Sequence, residues 1–208
     1  MARAQRISIV DYGMGNLRSV QKALQHVAPE ARVEITSDPD AIRSSDRVVF
    51  PGQGAMPDCM RSLNAAGLAE AIAEGAAGKP FLGLCIGQQM LFEKSAEGDT
   101  PGLALLHGEV KALEHAPGLK IPHMGWNEVW QAKPHALWKG IPDGARFYFV
   151  HSYYCAPRES ELTAATTEYP AAFTSAIARD NIFATQFHPE KSAIAGLTLL
   201  SNFANWNP

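Results

Sequence analysis

The sequence predicts an α/β protein with a mostly parallel central sheet flanked by helices and antiparallel strands added in the second half. Two patterns point to it. In the first ninety or so residues, short apolar runs alternate with helix-period segments, as in a sheet covered on both faces. Beyond residue 105 short strand-like segments take over, divided by Pro/Gly loops. The 208 residues are 46% apolar and 19% charged, enough to bury one well-covered core. No linker, repeat or low-complexity tract divides them, so a single domain over 1–208 is expected.

Arg6–Val10 predicts the first buried strand, ended by Asp11-Tyr12-Gly13-Met14-Gly15-Asn16. A helix follows, with Leu17, Val20, Leu24 and Val27 on one face. Arg32–Thr36 predicts the second strand, and Arg47–Phe50 a third that ends at Pro51-Gly52-Gln53-Gly54. The alanine-rich stretch 58–77 reads as a helical region. Phe81–Leu84 reads as a buried strand, and Gln89-Met90-Leu91-Phe92 predicts a helix opening after Cys85. Strand-like segments follow near 107–112, 126–130, 146–154 and 162–167. Ser192 is expected to start a closing helix with Ile194, Leu197, Leu200 and Phe203 at helical spacing.

A net charge of −3 leaves no electrostatic footprint for DNA or RNA. The three cysteines, at 59, 85 and 155, match neither a disulfide framework nor a zinc site, which fits a reducing cytoplasm. Met1–Arg6 leads into an apolar run too short for a signal segment or a membrane span.

The chemistry concentrates at Gly83-Leu84-Cys85-Ile86-Gly87 and His188-Pro189-Glu190. Small residues around a strand-to-helix turn allow a strained backbone that lifts the central side chain clear of the sheet, a position suited to a nucleophile. A thiol at a helix N-terminus also has its thiolate favoured. His188 and Glu190 are two residues apart in an extended segment, which places both on one face, and Pro189 limits their freedom. Cys85, His188 and Glu190 thus supply a nucleophile, a base and an orienting acid. Ligands of open α/β sheets bind beyond the carboxyl ends of the strands. The 11–13 and 51–54 loops should therefore lie beside Cys85, where the second can aim a backbone N–H at a developing oxyanion.

These residues resemble the class I, triad-type glutamine amidotransferases, whose G-x-C-x-G-x-Q, P-G-x-G and H-P-E motifs match segments 83–89, 51–54 and 188–190. Segments 11–20, 122–127, 148–154 and 187–192 are similar to those of the glutaminase subunits of imidazole glycerol phosphate synthase. The resemblance implies hydrolysis of L-glutamine to glutamate and ammonia through a Cys85 thioester. His188 would move the proton, Glu190 would hold its tautomer, and Gln89 would line the glutamine pocket, with Gly52, Gln53 and Gly54 also on the substrate side. It further implies a heterodimer with a (β/α)8-barrel cyclase that uses the ammonia in histidine biosynthesis, and no metal or organic cofactor. Segments 11–16, 122–127 and 148–154 would lie toward that partner. Two positions depart from the family pattern: Gln53 stands where a small apolar residue is expected, and Gln88 where Met is more usual.

Other residues read more plainly. Cys59 and Cys155 lack a turn signature and read as packing thiols. His26, His107, His115 and His135 receive no role, and His151 reads as structural or interface packing. Trp126 and Tyr148 suit either the core or the partner face, and Asp11 and Asn16 suit a turn and a helix cap. Three competing functions are weaker. Segments 11–20 and 122–127 argue against the glutaminase of another pathway. A Cys-His hydrolase of peptides or γ-glutamyl conjugates leaves Gln89 without a purpose, and a non-catalytic binding protein leaves the intact Cys, His and Glu set without one.

Overall fold

The computed structural model describes residues 3–208 and alternates strands with helices through the first half. The order is β1 (Arg6–Val10), α1 (Leu17–Val27), β2 (Arg32–Thr36), α2 (Pro39–Ser44), β3 (Arg47–Gly52), α3 (Met56–Ala65), α4 (Ala69–Gly78) and β4 (Phe81–Cys85). β1 pairs in parallel with β2 on one side and β3 on the other, and β3 continues in parallel to β4. Strand β3 runs through Pro51 and Gly52, two residues beyond its expected end, because both remain in register with β4.

The alanine-rich region is helical, as expected, and holds two helices, α3 and α4. Gly67, at φ +67°, adopts the left-handed conformation that ends α3. Its N–H donates to the Asn64 carbonyl, and the Leu68 N–H donates to that of Leu63, while both leucine side chains are buried. This pair of bonds satisfies carbonyls that the helix end would leave open.

The helix expected after Cys85 is a single turn, α5 (Ile86–Gln89), and the chain returns at once to a strand, β5 (Phe92–Ser95). A helix this short has little macrodipole, so the helix-terminus argument for a thiolate at Cys85 loses its force. There follow β6 (Thr100–Pro101), β7 (Leu106–Ala112), β8 (His123–Gln131), β9 (Ala145–His151), β10 (Tyr153–Pro157), β11 (Thr163–Glu168), β12 (Ala172–Arg179), β13 (Ile182–Thr185) and α6 (Ala193–Asn205). The expected 146–154 segment breaks at Ser152 because its halves have different partners: β9 pairs with β8, and β10 lies between β7 and β12. β13 inserts in parallel beside β4, and β12 then pairs antiparallel with β13, so one mixed sheet spans both halves.

Alternation along the strands divides the core. On β3, Val49 faces a layer closed by Val20 and Leu24 of α1 and Leu199 and Phe203 of α6. Val48 and Phe50 face the opposite layer with Met60, Leu63 and Ile72 of α3 and α4. The face of α6 is rotated from expectation, leaving Ile194 81% exposed. A Cβ on Gly196 would lie 1.9 Å from the Pro189 carbonyl oxygen, so close backbone packing sets this rotation. Neither Asn16 nor Ser192 caps its helix through a side-chain bond. Among the described residues no helix is long and apolar enough to cross a membrane.

Candidate active site

The parallel run of β1, β3 and β4 brings segment 11–13, the 51–54 loop and Cys85 to one edge of the sheet. Gly52 pairs directly with Cys85. Cys85 sits at φ 54°, ψ −111°, a conformation costly for any residue with a Cβ. Its neighbours show how the turn is held. A Cβ on Gly87 would lie 1.8 Å from the Phe50 carbonyl oxygen, and one on Gly52 would lie 2.7 Å from the Ile86 Cβ. The glycines thus allow the turn to press backbone to backbone against β3.

Cys85 opens into a cavity of about 300 Å³, whose walls include Gln53, Gly54, Gln89, His151, Tyr153 and His188. Gly52 packs beneath the turn, outside the cavity wall. His188 Nδ1 lies 2.9 Å from Glu190 Oε1, and both side chains are almost fully buried. The pair forms through a tight turn rather than strand alternation: His188 is extended, but Pro189–Lys191 is a 3₁₀ turn that brings the carboxylate back to the ring. Ser192 steadies the arrangement, its hydroxyl donating to the His188 carbonyl at 2.6 Å and accepting from the Tyr148 N–H at 2.9 Å.

Burial lowers the His188 pKa, but the Cys85 sulfur and the Glu190 carboxylate outweigh it and raise the imidazole to about 10. His188 Nε2 has no other hydrogen-bond partner and is left to the Cys85 sulfur. A sulfur facing an imidazolium that has a carboxylate behind it suits nucleophilic attack by the sulfur and then protonation of a leaving amine by the ring.

The structure adds residues that the motifs do not identify. Tyr12 is buried, and its hydroxyl donates to the Pro51 carbonyl at 3.0 Å, tying segment 11–16 to the 51–54 loop. Burial raises the Tyr12 pKa well above its ordinary value, so it stays a neutral donor. The Gln53 carbonyl accepts from the Cys59 thiol at 3.6 Å. Gln89 donates through Nε2 to the Tyr153 carbonyl at 3.1 Å and to Gln186 Oε1 at 3.0 Å, and Gln186 Nε2 reaches Cys85 Sγ at 3.7 Å. The sequence signal for Gln186 is its place two residues before His188 in an extended run. Asp11 forms its expected turn, accepting from the Gly13 N–H at 2.9 Å.

The family model for "Glutamine amidotransferase class-I" matches residues 8–205. The chain belongs to the class-I glutamine amidotransferases. Among the relatives of this amidotransferase is the imidazole glycerol phosphate synthase subunit HisH of Aromatoleum aromaticum, 61% identical over 97% of this chain and 99% of that protein. The subunit HisH of Thiobacillus denitrificans is 59% identical over 97% and 92%. Solved structures support the fold alone. PurLQS from Thermotoga maritima superposes with a TM-score of 0.73 at 18% identity, covering 98% of this chain and 99% of that one. A solved glutamine amidotransferase gives 0.71 at 15% identity, covering 95% and 98%.

Proposed function

We propose that this amidotransferase is the glutaminase subunit of imidazole glycerol phosphate synthase. It hydrolyses L-glutamine at Cys85 and passes the ammonia to a (β/α)8-barrel cyclase subunit for histidine biosynthesis. The observation that carries this reading is the strained Cys85 turn opening into the same cavity as a His188 that is held from behind by Glu190.

The Cys85 sulfur attacks the glutamine carboxamide carbon, and the carbonyl electron pair moves onto oxygen. Backbone N–H groups of Ile86 and of the 51–54 loop are the candidate donors to that oxyanion. Imidazolium His188 gives its Nε2 proton to the departing nitrogen as the C–N bond breaks, leaving a thioester and ammonia. Water then attacks the thioester, neutral His188 takes its proton, and C–S cleavage releases glutamate. Glu190 keeps the imidazole in one orientation and stabilises its charged form. Gln89 Oε1 is buried without a partner, which suits it to receive a donor from glutamine.

The relatives' names make them subunits of a synthase, and one surface here suits such a role. Met124, Trp126 and Trp130, on one face of β8, are 62%, 50% and 47% exposed. Exposed apolar side chains grouped in this way mark protein contact sites. Near that face Tyr148 meets Trp126 edge-on, and Lys191 lies over the Tyr148 ring. Three unpaired thiols suit the cytoplasm.

The test is Cys85→Ala in the reconstituted synthase. Glutamine-dependent synthesis should vanish, whereas synthesis from ammonium salts at high pH should persist, because free ammonia bypasses the thiol. Equal loss with both nitrogen sources would refute the division of labour.

A further inference from the structure

The hydrogen bonds beneath Cys85 can be oriented without ambiguity, starting from a backbone group. The Tyr153 carbonyl only accepts, so the Gln89 atom 3.1 Å from it is the amide nitrogen. That same nitrogen lies 3.0 Å from Gln186, so Gln186 presents its oxygen there. The other end of the Gln186 amide is therefore Nε2, 3.7 Å from Cys85 Sγ and within reach of the large sulfur atom. Gln186 is fully buried, away from bulk solvent. Its backbone is fixed as well, with the N–H donating to the Ser175 carbonyl at 2.8 Å.

We propose that Gln186 is a positioning residue with two linked tasks: its amide N–H holds and stabilises the Cys85 thiolate, and its carbonyl locks Gln89 so that Gln89 Oε1 faces substrate. This rests on the glutaminase reading of Cys85 and deepens it. A donor aimed at sulfur favours the anion over the thiol, since hydrogen bonds to charged acceptors are the stronger ones. The second task follows from counting. Gln89 Nε2 has two protons, one given to Tyr153 and one to Gln186. With both spent, the amide cannot rotate, and the unpartnered acceptor stays available.

The experiment compares the wild type with Gln186→Leu, Gln186→Met and Gln89→Leu. The titratable groups facing the sulfur are His188 after β13, Tyr12 after β1, Cys59 on α3 and Cys155 on β10, with His151 and Glu97 on the cavity wall. All stay in place in every variant. Alkylation of Cys85 by iodoacetamide, followed by peptide mass spectrometry from pH 5 to 10, reads the sulfur without needing glutamine. Both Gln186 variants should shift the profile to higher pH by about one unit, so the rate on its acidic limb falls about tenfold. Gln89→Leu should leave the profile in place. In the synthase complex, all three variants should raise KM for glutamine several-fold, and the Gln186 variants should also lower kcat. Coincident alkylation profiles for wild type and a folded Gln186→Met would overturn the proposal, as would an equal shift in Gln89→Leu. Failure of wild-type Cys85 to react ahead of Cys59 and Cys155 would instead overturn the glutaminase reading, and this inference with it.

Discussion

Cys59 and Cys155 are fully buried, and burial pushes the Cys59 thiol up to about 11 and raises Cys155 well above its ordinary value. Neither lines the cavity, so both read as packing thiols, as the sequence suggests. Gln88 is less comfortable. It is fully buried on α5, and neither atom of its side-chain amide has a partner among the described residues. A buried donor or acceptor left unsatisfied costs about 1–3 kcal/mol. Met has nearly the same length and no amide. Gln88→Met should stabilise the protein by about 1–3 kcal/mol and raise its Tm by several degrees. Thermal unfolding followed by circular dichroism checks this; an unchanged or lower Tm would mean that ordered water satisfies the amide.

At the scale of elements, the Cys85 turn depends on space more than on glycine's freedom. Gly87 has no unusual φ, yet its missing side chain is where the β3 backbone passes. Gly87→Ala should therefore push β3 from α5, cost about 1–3 kcal/mol or more, and cut glutaminase activity by orders of magnitude. Gly78→Ala, with nothing within 4 Å of the new Cβ, is the matched control and should be nearly neutral. Steady-state glutamate release and Tm of the two variants decide the point. The β8–β9 hairpin holds a second oriented chain. Asn127 Nδ2 donates to the Glu168 carbonyl at 3.0 Å and lies 3.2 Å from His123 Nε2. His123 must then carry its proton on Nδ1, donate to His151 Nε2 at 2.8 Å, and leave His151 Nδ1 to donate to the Tyr153 carbonyl at 2.8 Å. That carbonyl also holds Gln89, so β8 is linked to the amide network beneath the nucleophile.

Whole-molecule stability should report these neutral imidazoles. Burial lowers His123 and His135 to about 4 and His151 to about 3, in each case as the largest cause. In the unfolded chain each titrates near its ordinary value, about 6.5. Below that pH the unfolded state binds protons that the folded state refuses, so stability present at neutral pH is lost on acidification. Between about pH 6.5 and 5 most carboxylates remain ionised, and the slope there belongs chiefly to the histidines. Tm should fall steadily across that window. His188, raised to about 10, acts in the opposite sense but is one ring against three; a flat profile would mean that the three lowered rings do not outweigh it.

Strands β1 to β4 with α1, the Cys85 turn and the partnership of His188 with Glu190 were legible in the sequence because their signals are local: periodicity, small residues at a turn, and two groups two positions apart; α2, β5, β6, β12 and β13 were not expected from it. Local signals also misled. The Gln89–Phe92 pattern reads as a helix, but those residues turn at once into β5, whose place is set by β7 and β6. Only tertiary structure places Gln186 against Cys85, 101 positions away in sequence, and Tyr12 against Pro51, 39 away. Burial then leaves each polar group few possible partners, so its orientation is decided by neighbours that no local pattern can name.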